Sequence, residues 1–333
     1  MELVETLQKL TGAFGPSGCE GPVAEVIRAM AEPYADECFT DTLGNLIVHK
    51  KGNGPRVMFS AHMDSIGLIA THIEKEGFIR FGKVGGLDLP AIYQLPVRFQ
   101  NGTQGVIAVN EDKEGEKLRL NDLYVDIGAK DRAEAEQKVS VGDMAVFSSP
   151  AIMAGRRVVS PYLDNRVGCL VLLMALKRIQ THTNDLYFVF STQEEVGCRG
   201  AKTAAYSIDP DYGLAVDVTG ADDVPSATHG SSTKLGGGAA IKVMDSSVIC
   251  HPVMVKKLQA LAAEQGIPAQ TDVLRSGGTD AGSIHITRLG VITGGISVPC
   301  RYIHAPSEMA DQDDIEACAA LAAALAESEL PKL

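Results

Sequence analysis

Leu186-Tyr187-Phe188-Val189-Phe190 leads through Ser191 and Thr192 into Gln193-Glu194-Glu195-Val196-Gly197. Five consecutive apolar residues read as a strand covered on both faces, the kind found in the middle of an α/β sheet. A glutamate pair just beyond its end lies where such folds keep their chemistry. Neighbouring side chains of an extended segment point opposite ways, so one carboxylate can hold a metal while the other faces a substrate as general base. Taken alone, the pair reads just as well as a solvated doublet at a loop start.

Four further segments repeat the form. Val57 to Ala61 runs into His62-Met63-Asp64, and Tyr212 to Val216 into Asp217. The glycine-interrupted run Val291 to Val298 leads to Arg301-Tyr302-Ile303-His304, and Arg157 to Leu163 leads to Asp164 and directly into a helix. Five strand ends thus offer His62, His304, Asp164, Asp217 and a glutamate, a ligand set for zinc, cobalt or manganese that needs no cysteine. Each has a structural alternative: His304 as a hydrogen-bonded histidine, Asp217 as a turn cap, Asp164 as the N-cap of the helix from Val167. Convergence outweighs these, because the strand ends of one sheet share an edge. His49, His72, His182, His229, His251 and His285 lack that context and read as structural.

Outward from these strands, Leu3 to Leu10 and Pro22 to Met30 read as amphipathic helices around a Gly/Pro-rich turn segment, Gly12 to Gly21. Residues 66–154 change texture to short β segments separated by glycine-bearing turns, with helix only at Ala133 to Lys138. Helices return at Val167 to Ile179, apolar nearly all round and so buried against a sheet, then at Pro252 to Glu264 and Ile315 to Ser328. The fold class is α/β, a mixed and mostly parallel sheet with helices on both faces, carrying a small inserted β domain. The expected division is 1–65 plus 155–333 for the catalytic α/β part and 66–154 for the insert.

A chain of 333 residues can bury such a core with a smaller domain beside it. Its net charge of -12 argues against nucleic acid or an anionic membrane as partner, since both need a concentrated basic face. The start lacks the basic and apolar regions of a signal peptide, and no apolar run is long enough to span a bilayer, so a cytoplasmic location is expected. Seven scattered cysteines without a CxxC pair read as reduced, mostly core residues.

Two divalent ions about 3.5–4 Å apart can clamp both a hydroxide nucleophile and the carbonyl it attacks, provided one carboxylate bridges them. Asp164, on a strand-to-helix turn, is the bridging candidate. Asp64, two residues past His62 on the same side, can accept the other ring N–H of that histidine and fix its tautomer. Gly277-Gly278-Thr279-Asp280-Ala281-Gly282 reads either as a loop lining the pocket, with Asp280 available to a polar group, or as a turn into a helix capped by Thr279. Tyr162, Arg166 and Arg301 read as wall residues near the site or as purely structural ones.

With these residues in place, the chain resembles the dinuclear metallo-aminopeptidases of the glutamyl-aminopeptidase and tetrahedral-aminopeptidase family, some members of which carry an endoglucanase label. The matching motifs are Ala61 to Gly67, Tyr162-Leu163-Asp164-Asn165-Arg166, Gln193 to Gly197, Asp217-Val218-Thr219, Gly277 to Gly282 and Arg301 to His304, in order along nearly the whole chain. The resemblance implies a zinc-exopeptidase-like fold with an inserted β-barrel for dimerisation. It implies that His62 and Asp217 hold one ion, Glu195 and His304 the other, and that Asp164 bridges them, with zinc or cobalt before manganese. Catalytic roles follow for Glu194, general base and then acid, and for Asp64, which orients His62. Dimers would build a tetrahedral dodecamer. Ser65 departs from the acidic residue common in relatives, which bears on entry to the pocket, and Gly236-Gly237-Gly238 is a looser match.

The expected reaction is release of N-terminal amino acids from short peptides by a metal-bridged hydroxide, with one ion also binding the free α-amine. Rivals are a dinuclear amidohydrolase or deacylase acting on acylated amino acids, and a non-catalytic assembly that binds peptides. Glycoside hydrolysis fits less well, because it wants two carboxylates free of metal.

Overall fold

In the computed structural model of the chain, which describes residues 3–113 and 117–332, the apolar runs Asp185–Ser191, Arg56–His62, Tyr212–Gly220 and Ile292–Arg301 lie side by side and parallel. They form the centre of an 11-stranded mixed sheet. Antiparallel strands flank them: Leu46–Lys50 and Glu37–Thr40 beyond Asp185–Ser191, and Glu308–Asp311, Arg157–Ser160 and Ile152–Ala154 beyond Ile292–Arg301. Four central strands running the same way deliver their C-terminal ends to a single edge. That edge receives His62, Asp217, the Glu194-Glu195 turn and the His304 turn.

Both faces are covered, as strands of nearly unbroken apolar sequence require. The helix Leu163–Arg178, buried around almost its whole circumference, packs on one face with Leu3–Gly12, Gly21–Ala31 and Gln312–Glu327. On the other face Arg199–Ile208 and the short Ala281–Ile284 bury Ala201, Ala204, Ala205 and Ile284 against Ile47, Met58 and Val189. The fold class expected from the sequence is therefore the fold observed.

Between Arg56–His62 and Arg157–Ser160 the chain forms a closed six-stranded antiparallel barrel from Gly67–Ile73, Ile79–Val84, Leu123–Asp126, Gln104–Val109, Pro96–Phe99 and Met144–Phe147. Closure leaves no free sheet edge, and a second apolar core fills the interior around Ile79, Phe99, Ile107 and Leu123. The strand Ile152–Ala154 pairs with Arg157–Ser160 and so already belongs to the large sheet. Tyr162 joins the two units. Its ring packs into the barrel core, and its hydroxyl oxygen accepts the Phe147 amide N–H. Arg166 is fully buried and donates to the carbonyls of Leu10 and Gly15, tying the N-terminal helix and the turn after it to the helix Leu163–Arg178. Ser65 is buried and donates to the Gly15 carbonyl at 3.3 Å, so it faces the first turn segment and not the cleft.

Among the described residues, no helix is long and apolar enough to cross a membrane. All seven cysteines are unpaired.

Candidate metal centre

The ligand candidates reach the site from the C-terminal ends of the central strands and the turns beyond them, with Asp164 at the head of the helix Leu163–Arg178 and Asp217 inside Tyr212–Gly220, which runs on past it. His62 is the last residue of Arg56–His62, and its Nε2 lies 3.0 Å from Asp164 Oδ1, 3.6 Å from Asp217 Oδ1 and 3.8 Å from Glu194 Oε2. His304 Nε2 lies 3.3 Å from Asp164 Oδ2 and 3.3 Å from Glu195 Oε2. The two oxygens of one buried aspartate thus face two different histidines. Ligand atoms of His62, Asp164 and Asp217 lie within 4.8 Å of one another, and so do those of Asp164, Glu195 and His304. The five residues singled out as ligands form two triplets with Asp164 in common. Asp164 itself has extended backbone angles (φ -74°, ψ 106°) at the head of its helix, and its two carboxylate oxygens meet histidines instead of capping the helix.

Two further buried carboxylates hold this cluster by its backbone. Asp64 accepts the amide N–H of Glu194 at 2.9 Å and of Glu195 at 3.2 Å, and the Ser17 hydroxyl at 2.6 Å. Its Oδ1 is 3.4 Å from His62 Nδ1, while its own backbone carbonyl stands slightly closer, at 3.2 Å. Asp64 therefore fixes the Glu194-Glu195 turn as well as the imidazole. On the opposite side, Glu308 accepts the amide N–H of Asp164 and of His304, each at 2.8 Å. His304 has φ +66°, in the left-handed region that an L residue occupies only when its surroundings enforce it. Glu308 is that enforcement, and the sequence reading missed it. Only its position beside the sheet edge, opening the strand Glu308–Asp311, could have suggested it.

Of the two readings of its segment, Asp280 fits the turn into a helix, though the N-cap position is Asp280 itself and not Thr279. It is buried beneath the strand ends, where Oδ2 accepts the hydroxyls of Ser60 and Ser191, each at 2.6 Å. The turn leading into Ala281–Ile284 tucks under the sheet, and of the six-residue segment Gly277 and Gly278 reach the cleft. Arg301 is paired with Asp223 at 2.6 Å, away from the ligands.

The electrostatics are those of a site short of positive charge. Burial raises the Glu194 carboxyl well above its usual range, and Asp217, Asp280 and Glu195 add to the rise. Burial likewise lifts Glu195 to about 7, with Asp164 adding to it, and Asp217 to about 6. Burial would lower both imidazoles, but the surrounding carboxylates overcome it, holding His62 well above its ordinary value and His304 at about 11. Glu195 Oε1 is buried without a hydrogen-bond partner among the described residues. An unsatisfied buried carboxylate oxygen within a crowd of acids is costly unless a cation completes it. The donor set, nitrogen from two histidines and oxygen from three carboxylates, suits divalent zinc, cobalt or manganese.

The barrel contributes its own wall. A Cβ on Gly86 would lie 2.7 Å from His304 Nδ1, and one on Gly85 would lie 3.1 Å from Glu195 Oε2. Gly85 also has φ +73°. Substituting Gly86→Ala is expected to displace the His304 ring and weaken metal uptake at the Glu195 and His304 side by about 10- to 100-fold, as losses of ligand support commonly do. Metal stoichiometry by mass spectrometry, with circular dichroism to check the fold, measures it.

The family profile of M42 glutamyl aminopeptidase matches residues 44–321. The lysyl aminopeptidase of Pyrococcus furiosus is 35% identical over 341 residues, covering 98% of this chain and 97% of that protein. Among solved structures, an aminopeptidase from the archaeon Desulfurococcus kamchatkensis superposes with a TM-score of 0.94 at 38% identity, over 98% of this chain and 94% of that one. The Pyrococcus horikoshii TET1 peptidase, described as assembling into a tetrahedron or a large octahedral shell, gives 0.90 at 34% identity, over 98% and 100%. The chain belongs to the M42 glutamyl aminopeptidase family. It is accordingly a metal-dependent hydrolase of the aminopeptidase class.

Proposed function

We propose that the protein removes N-terminal residues from short peptides at a dinuclear centre, with His62 and Asp217 on one divalent ion, Glu195 and His304 on the other, and Asp164 shared. The observation that carries this reading is the orientation of Asp164, whose Oδ1 lies 3.0 Å from one histidine and whose Oδ2 lies 3.3 Å from the other. Bound there, the ions would supply Lewis-acid charge to polarise the attacking water and the scissile carbonyl.

The proton work falls to Glu194. Its carboxylate lines the cleft beside both triplets, while its backbone is anchored through Asp64. A base held at its own main chain keeps its reach to one place, which is what general catalysis needs. Glu194 takes the proton of the attacking water and returns it to the leaving amine. Asp64 and Glu308 are positioning residues, one for the glutamate turn and the other for Asp164 and His304.

We also assign the chain to a homo-oligomer, with the barrel as its dimerisation unit and a tetrahedral dodecamer as the full assembly. The shell formed by the similar TET1 peptidase supports this. Unpaired cysteines throughout fit the reducing cytoplasm.

The test is chelation followed by add-back. Aminoacyl-p-nitroanilides should not be hydrolysed by metal-stripped protein and should be hydrolysed again after zinc, cobalt or manganese is restored. N-acetylated analogues should stay intact. Cleavage of acylated substrates in preference to free amines would replace this reading with a deacylase.

A further inference from the structure

We infer that the side chain this enzyme accepts at the peptide N-terminus is uncharged and apolar, of about leucine or methionine size. The inference rests on the aminopeptidase reading and goes beyond it by naming the substrate class. Apart from the proposed ligands and Glu194, the cleft is walled chiefly by Leu274, Ile303, Val218, Cys198, Gly277 and Gly278.

A substrate side chain that carries charge must find an opposite charge in the wall or lose its hydration without return. Among the described residues, no lysine or arginine lines the cleft. Arg275, next to Leu274, is exposed and lies outside the lining, and Arg301 is occupied by Asp223 through an ion pair at 2.6 Å. A glutamyl residue therefore meets no cation from the chain. The carboxylates present are Asp164, Glu194, Glu195 and Asp217, all committed to metal or proton, so a lysyl ammonium finds no free anion.

The remaining wall is apolar or bare backbone except for Thr219, whose hydroxyl is already donated to Asp272 Oδ1 at 3.0 Å. The Cys198 thiol donates to Glu194 Oε1 at 3.3 Å and approaches the Thr279 carbonyl at 3.5 Å, so its one hydrogen is used inside the wall. Gly277 has φ +81°, and a Cβ on Gly278 would lie 3.1 Å from the Ser247 side chain, so this side of the cleft is main chain. The cleft volume is about 350 Å³, near the lower end of the roughly 300–1,000 Å³ typical of small-molecule sites. Since the same volume must also take the ions and the substrate main chain, it leaves room for a side chain of no more than medium size.

Leucyl, methionyl, alanyl, glutamyl and lysyl p-nitroanilides should be compared on metal-loaded protein, with kcat/KM for leucyl or methionyl exceeding glutamyl and lysyl by about 10-fold or more. Leu274→Arg should raise glutamyl relative to leucyl turnover by a comparable factor. A wild-type preference for glutamyl or lysyl substrates would overturn the inference. Thermal-shift titration with free leucine, glutamate and lysine gives an independent reading of the wall, and leucine should stabilise most. If no substrate is cleaved while leucine still stabilises most, the peptidase reading falls and the assignment of the wall stands. Equal shifts for all three amino acids would sink the assignment.

Discussion

Glu194→Gln keeps the fold and the metal content while kcat falls by about 10²- to 10⁴-fold, the usual worth of a positioned general base. Glutamine preserves the shape and can still receive the Cys198 thiol hydrogen at its side-chain oxygen. The backbone amide at position 194 still reaches Asp64. What the substitution removes is the capacity to take a proton from water. The loss should therefore appear in kcat, with KM little changed. Turnover on aminoacyl-p-nitroanilides, measured beside metal stoichiometry and circular dichroism, decides the matter. Near-normal turnover would take the proton-transfer role away from Glu194.

The largest stability effect is expected at a buried ion pair behind the cleft wall, one hydrogen bond from Thr219. Lys242 and Asp272 are 1% and 0% exposed, and Lys242 Nζ meets Asp272 Oδ2 at 2.6 Å. The other oxygen, Oδ1, accepts the Thr219 hydroxyl at 3.0 Å. They sit on the adjacent strands Ala239–Met244 and Ala269–Val273, beside Gly295, where a Cβ would come within 3.1 Å of the lysine Cβ. Asp272→Ala strands a buried ammonium and should destabilise the chain by about 3–5 kcal/mol, the cost of breaking a buried pair from one side. The double replacement Lys242→Met with Asp272→Leu should recover most of that loss. Urea unfolding of both variants at one fixed protein concentration reads the difference, and the fixed concentration matters if the protein assembles. A single variant as stable as the wild type would show that water reaches the ammonium after all.

Much of the site was legible in the sequence because its logic is local. An apolar run leading to His62 or to the glutamate pair announces a strand and what stands beyond it, while Asp217 lies inside its strand, which continues to Gly220. Parallel alignment of the four central strands then brings those ends together without further information. Other features act across long separations through main-chain groups, which carry no residue signature. Glu308 reaches the amide of Asp164, 144 positions away, and Asp64 reaches the amides of Glu194 and Glu195. Asp280 looked available because it follows glycines, yet the turn carrying it folds under the sheet to meet Ser60 and Ser191. The Lys242 and Asp272 pair was equally invisible, since each reads on its own as an ordinary surface charge in a strand.

Gly85 and Gly86 belong to the barrel, yet they lie against Glu195 and His304. The inserted unit is consequently not an interchangeable module. A chain trimmed of its barrel to yield a minimal catalyst would lose the backing that Gly85 and Gly86 give to Glu195 and His304. A barrel borrowed from another protein would have to bring the same glycine pair just past the strand Ile79–Val84. Over evolutionary time such a junction binds two histories into one: the segment could change its outer face only in ways that left this strip of bare backbone untouched.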